Sequence, residues 1–124
     1  MNSLNPTTKL LIVDDHIEIR NLLKITFSYG NYQILEADNG SQALSIILSE
    51  KPDVVLLDIM MPGEIDGLEV CDFIKSSTLH QCKVILLSAK RQKEDFQKGL
   101  DVGANVYITK PFSPIALIEL VEKI

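Results

Sequence analysis

Short apolar runs alternate along this chain with segments whose apolar residues recur at helical spacing, and few folds accommodate that rhythm. The runs are Leu10 to Val13, a weaker one from Gln33 to Ala37, then Val54 to Leu57, Lys83 to Leu87 and Val106 to Thr109. A first helix is predicted from about His16 to Tyr29, with Ile19, Leu22, Leu23 and Phe27 on one face and Gly30-Asn31 as its stop. Asn39 reads as an N-cap with a reciprocal Gln42, opening a helix that carries Ala43, Leu44, Ile47 and Leu48. Lys51-Pro52-Asp53 breaks it. A third helix is expected from near Gly67 to about Ser76, and a fourth from Arg91 to about Val102, stopped by Gly103. Ser113 and Pro114 open the last helix, with Leu117, Leu120, Val121 and Ile124 expected to face inward.

Five strands alternating with five helices imply a parallel sheet covered on both faces. Right-handed crossovers leave few arrangements. The expected fold is α/β: a flavodoxin-like doubly wound (βα)5 with a five-stranded parallel sheet in the order 2-1-3-4-5, one domain over residues 1–124. A length of 124 residues is enough to bury a core without disulfides or structural metal. The net charge of −5 offers no electrostatic footprint for nucleic acid. Cys71 and Cys82 form neither a disulfide framework nor a metal-ligand spacing and read as reduced thiols. No apolar run is long enough to span a membrane, and the N-terminal MNSLNPTTK lacks a signal-peptide layout, so a cytoplasmic location is expected.

In such a sheet, ligands bind beyond the carboxyl ends of the strands. Strand one ends in Asp14-Asp15, strand three in Asp58, strand four in Ser88 and strand five in Lys110. Three carboxylates on one rim repel and raise one another's pKa, and a hard divalent cation resolves the repulsion. Oxygen ligands with room for water suit octahedral Mg²⁺. A carboxylate is also a covalent phosphate acceptor, and Lys110 and Ser88 can pair with phosphate oxygens. Taken singly, each residue has a plainer role. Asp15 is an N-cap with Glu18 three residues on, Asp58 starts a turn, Ser88 caps a helix, and Lys110 is a solvated charge. None of these roles explains why the residues fall at the ends of different strands.

The segments LLIVDD (10–15), DNGSQAL (38–44), PDVVLLDIMMPG (52–63), DGLEV (66–70), VILLSA (84–89) and GANVYITKPF (103–112) together resemble the receiver domain of two-component response regulators over nearly the whole chain. The resemblance implies Asp58 as phosphoacceptor, Asp15 as a direct Mg²⁺ ligand and Asp14 as an acidic partner acting through water. It gives Met60 a backbone-carbonyl metal contact, Ser88 the role of switch hydroxyl and Lys110 that of phosphate-pairing lysine. It also implies a cis bond before Pro111 and an inward-turning aromatic switch at Tyr107. Met60 and Lys90 would flank the path of the attacking water and tune the phosphate's lifetime. The implied partners are a sensor histidine kinase or phosphotransfer protein and a downstream output domain or protein. The chain ends at Ile124 with no tail, which suggests a receiver excised from a longer protein; a single-domain regulator is the alternative.

One spacing departs from the resemblance. Gly63, Glu64 and Ile65 place three residues between Met61-Pro62 and Asp66-Gly67, where two are usual, which leaves the shape of that loop open. His16 reads as a surface residue beside the pocket rather than a ligand, and His80 and the cysteines add no site. Ile17, opposite the apolar cluster of the first helix, is a candidate docking contact for the histidine-bearing partner. Two rivals share part of the pattern. A flavodoxin-like electron carrier needs a phosphate-cradling loop where this chain has Asp14-Asp15. A haloacid-dehalogenase-type phosphatase needs an aspartate where it has Met60.

Overall fold

A computed structural model describes residues 7–89 and 93–124. Met1–Pro6, Lys90, Arg91 and Gln92 lie outside the described residues, and with them the expected helix start at Arg91 and the tuning position Lys90. The elements are β1 (Thr8–Val13), α1 (Ile17–Phe27), β2 (Tyr32–Ala37), α2 (Gly40–Glu50), β3 (Val54–Asp58), α3 (Gly67–Lys75), β4 (Lys83–Ser88), α4 (Lys93–Asp101), β5 (Val106–Thr109) and α5 (Pro114–Lys123). All strand pairs are parallel, in the order β2-β1-β3-β4-β5. The doubly wound fold read from the alternation is the fold observed.

Strand pleating divides the core into two. Leu11, Val13, Val55, Leu57, Val84 and Leu86 pack with α2 and α3 on one face. Leu10, Ile12, Val54, Leu56, Ile85 and Leu87 pack with α1 and α5 on the other. The inner strands therefore need apolar residues on both sides, which is why they read as unbroken runs. Truncating any of these leucines or isoleucines to alanine should cost about 2–5 kcal/mol.

The helix ends follow local chemistry. Asn39 accepts a hydrogen bond from Gln42 N at 2.8 Å, but the Gln42 side chain accepts from Asp38 N rather than from Asn39 N. Asp66 and Glu69 form a complete capping box at α3. Ser113 accepts from Ala116 N at 3.2 Å, with Pro114 in the first turn. Gly103 adopts φ +87° past the end of α4, and Gly103 N and Ala104 N donate back to Leu100 and Gly99.

Two helix faces differ from expectation. In α1, Leu23 and Phe27 are buried and Ile19 packs partly on the core, but Leu22 is exposed along with Ile17 and Ile25. In α5, Leu117 and Val121 are buried and Ile118 joins them at the core edge, while Ile124 is exposed at the helix end. Helical periodicity marks a broad stripe, and the neighbouring elements decide which edge of it is covered.

Candidate functional site

The order of the sheet makes the site. β1 and β3 are neighbours, yet β1 leads into α1 on one face and β3 leads into α3 on the other. A crevice opens between the two departing loops, beyond the carboxyl ends of the strands. The side chains of Asp14, Asp15, Asp58 and Lys110 converge there, and Ser88 lies buried at the end of the neighbouring strand β4. Asp14, Asp58 and Ser88 are buried, the only buried polar or charged side chains among the described residues.

Lys110 joins the carboxylates. Its Nζ lies 2.8 Å from Asp14 Oδ2 and 3.5 Å from Asp58 Oδ1. Ser88 pairs with Thr109 in the β4–β5 register, and Lys110 N donates to Ser88 O at 2.7 Å, which ties the two residues together at the ends of adjacent strands. The Lys110–Pro111 bond is cis.

One ammonium does not balance three acids in a largely buried site. Burial pushes the Asp58 carboxyl up to about 6; the charge of Asp14 adds to the rise, and Lys110 only partly offsets it. Asp15 Oδ1 is buried with no hydrogen-bond partner. His16 Nδ1 is 3.2 Å from that oxygen, close enough for charge attraction but not placed as a hydrogen bond. One ligand atom from each of Asp14, Asp15, His16 and Asp58 falls within a 4.8 Å span. Excess negative charge, an orphaned acceptor and oxygen donors together fit a hard divalent cation.

The main chain around Asp58 is held on both sides. Ile59 N donates to Leu87 O at 3.0 Å and Ile59 O accepts from Gly67 N at 2.9 Å. A β-carbon at Gly67 would collide with the carbonyl oxygen of Asp58, so α3 can start this close to the acceptor only on glycine. The three-residue spacer is absorbed by Gly63 at φ +101°, and Ile65 packs against the core and against Gly40. The Met60 side chain is exposed.

Asp15 does not cap α1. The N-cap is His16, whose side chain makes no capping bond, while Asp14 Oδ1 accepts from His16 N at 2.9 Å. Tyr107 is half-buried, edge-to-face with Phe96 at 5.4 Å and close over Gly99.

Sequence reasoning placed His16 beside the pocket and missed Arg20; the structure brings the exposed His16 ring to both acids. Arg20 donates to the Asp14 carbonyl at 2.8 Å and to Glu36 at 3.1 Å, and Glu36 also holds Lys24 at 3.0 Å. The signal available for Arg20 was a basic residue one helical turn beyond the end of the acid pair.

The comparisons with known proteins point the same way. The family model described as the response regulator receiver domain matches residues 10–122. The phosphate regulon transcriptional regulatory protein PhoB of Pseudomonas aeruginosa is 42% identical over 110 residues, covering 88% of this chain and 48% of PhoB. The transcriptional regulatory protein ResD of Bacillus subtilis is 43% identical over 107 residues, covering 86% of this chain and 43% of ResD. The chain thus spans less than half the length of these relatives. A CheY-like receiver structure from Methanospirillum hungatei superposes with a TM-score of 0.89 at 26% identity, over 95% of this chain and 93% of that one. With the match running over nearly every element, and with the acid crevice where the strand order reverses, this chain belongs to the response regulator receiver domain family.

Proposed function

We propose that the chain is the phosphoacceptor switch of a two-component phosphorelay, with Asp58 as the residue phosphorylated. The observation that carries this reading is the buried, charge-compressed Asp58 at the carboxyl end of β3, linked to Asp14 through Lys110. An Asp58 carboxylate oxygen attacks the phosphorus of a phosphohistidine on a sensor kinase or phosphotransfer protein. The P–N bond breaks, and the histidine nitrogen leaves with the electron pair and is protonated by solvent. Asp15, Asp58, the Met60 carbonyl and, through water, Asp14 would hold Mg²⁺. The ion supplies charge compensation to the phosphoryl oxygens when bound. Lys110 lies near enough to exchange its carboxylate partners for a phosphoryl oxygen, and Ser88 can donate to another.

The switch follows from the same neighbours. A phosphoryl group that draws Ser88 inward vacates space for Tyr107, which now rests on α4. The surface of α4, β5 and α5 then differs between two states, and an output domain or separate protein that binds one of them better reads the change. PhoB and ResD are transcriptional regulators by name; an output of that kind for this chain is part of the proposal. The domain turns over its own phosphate rather than a succession of substrates, and it makes no direct nucleic-acid contact. Among the described residues no helix is long and apolar enough to cross a membrane.

Acetyl phosphate tests the reading. Intact mass should gain one phosphoryl group in the presence of Mg²⁺ and none after chelation, and Asp58→Asn should abolish the gain. Equal labelling of Asp58→Asn would remove the assignment. Steady turnover of phosphate esters would favour the phosphatase alternative, and a flavin-absorbing preparation the electron carrier.

A further inference from the structure

The rim of the acid crevice carries one donor that the phosphoryl reading leaves unused. His16 Nδ1 lies 3.1 Å from Asp14 Oδ1 and 3.2 Å from Asp15 Oδ1. Neighbouring donors bound at about 2.1 Å to one octahedral cation stand about 3.0 Å apart. The imidazole nitrogen is therefore near shared-coordination spacing from the Asp15 oxygen, and it falls with one oxygen each of Asp14, Asp15 and Asp58 within a 4.8 Å span. Without a cation, a hydrogen-bond contact between His16 Nδ1 and Asp14 Oδ1 holds the ring at the rim. The residue occupies the N-cap of α1 but its side chain makes no capping bond, and that side chain is 61% exposed, so neither helix initiation nor packing requires it. The backbone does hold it in place: His16 N donates to Asp14 Oδ1 at 2.9 Å, keeping the ring beside the acids. The facing oxygen of Asp15 is buried and lacks a hydrogen-bond partner, which leaves it open to a cation.

We propose that His16 Nδ1 is a further metal ligand, giving the site a mixed nitrogen–oxygen donor set that favours late divalent transition cations such as Ni²⁺ over Mg²⁺. The inference rests on the proposed metal site of Asp14, Asp15 and Asp58. Mg²⁺ keeps to oxygen donors and gains little from an imidazole, whereas affinity for nitrogen donors climbs along the first transition row toward Cu²⁺. The consequence is a site whose occupant depends on which cation is available, at a position where Asp58 chemistry would respond to the exchange.

Calorimetric titration with Mg²⁺ and, separately, Ni²⁺ tests this on the wild-type chain, His16→Asn and Asp15→Ala. The runs are made at pH 8, where a neutral ring is favoured for ligation. His16→Asn should weaken Ni²⁺ about tenfold or more while keeping Mg²⁺ within about twofold. Asp15→Ala should weaken both. With Co²⁺ added, proton NMR should show a hyperfine-shifted exchangeable imidazole signal that disappears in His16→Asn. Equal loss of both cations in His16→Asn, or loss of neither, would overturn the inference and leave the Mg²⁺ site standing. Ni²⁺ binding untouched by Asp15→Ala would overturn it too, placing the ion elsewhere, as at His80. Failure of the wild-type chain to bind either cation would remove the metal reading itself, and the role of His16 with it.

Discussion

Asp53 and Asp58 bracket β3, and the two ends of the sheet treat a carboxylate in opposite ways. At the amino end, Asp53 Oδ2 accepts from Lys9 N at 2.8 Å, its own N donates to Lys9 O at 2.9 Å, and its carbonyl accepts from Lys83 N at 2.9 Å. The Lys9 ammonium reaches the Glu50 carbonyl at 3.0 Å and its carboxylate at 3.4 Å. Asp53 is exposed, so its carboxylate meets solvent as well as Lys9. At the carboxyl end, Asp58 is 4% exposed and Asp14 fully buried, with acids in excess over the nearby ammonium. A groove of about 630 Å³ also lies at the amino end, bordered by Thr8, Asn31, Asp53, Lys83 and Glu122. Uncompensated charge, rather than the presence of a groove, marks the carboxyl end as the candidate site.

The largest effect expected from this contrast is on metal binding. Asp15→Ala should weaken Mg²⁺ by about 10–100-fold, since few protein ligands share the load. Asp14→Ala should weaken it less, and Asp53→Ala should leave it unchanged. Calorimetry that finds all three alike would erase the distinction between the ends.

Stability should respond next, and with opposite signs. Asp58 has a folded-state pKa of about 6, above its ordinary value of 3.8. Below the lower value both folded and unfolded chains hold the proton, and nothing is lost. As pH rises between the two values the unfolded chain releases it first, so the folded state loses relative stability; the cost is complete above the folded value. In metal-free buffer at pH 7.5, Asp58→Asn should therefore stabilise the fold by about 1–3 kcal/mol. Its advantage over wild type should grow between pH 4 and 6, the window between those two values, and shrink when Mg²⁺ is added. Asp53→Asn should instead destabilise by about 0.5–1.5 kcal/mol, through a weakened bond to Lys9 N. Denaturant melts across pH check both, and a destabilised Asp58→Asn would refute the charge-compression account.

The smallest effect concerns the partner. Ile17, Leu22 and Ile25 leave α1 with an exposed apolar face larger than the helical pattern led one to expect. Ile17→Glu should slow transfer from the cognate kinase about three- to tenfold while acetyl phosphate labelling stays unchanged. Slowing of both donors would indicate damage to the crevice; slowing of neither would make Ile17 ordinary surface.

Much of this was legible in the residues. Strands buried on both faces need unbroken apolar runs, so β1, β3 and β4 announced themselves and their terminal polar residues located the rim. Caps depend on contacts within one turn, so Asn39, Ser113 and Gly103 could be read in advance. The Asp66–Glu69 box carried the same kind of signal and was overlooked. Leu22 and Ile124 were misplaced because periodicity cannot say how far α5 and β2 extend over a helix's apolar stripe.

The sequence by itself determined the parallel sheet, its order and the placement of Asp14, Asp15, Asp58, Ser88 and Lys110 at the carboxyl ends of its strands, because hydrophobic period and crossover handedness act locally and leave few topologies. Only the tertiary structure decided that Lys110 spans two of the acids, that Arg20 reaches from α1 to the Asp14 carbonyl while held by Glu36, and that exposed His16 turns its nitrogen onto both members of the acid pair. Those contacts depend on ångström-scale distances between elements remote in the chain, and burial sets the strength of the charges that meet there. Neither quantity exists until the chain has folded.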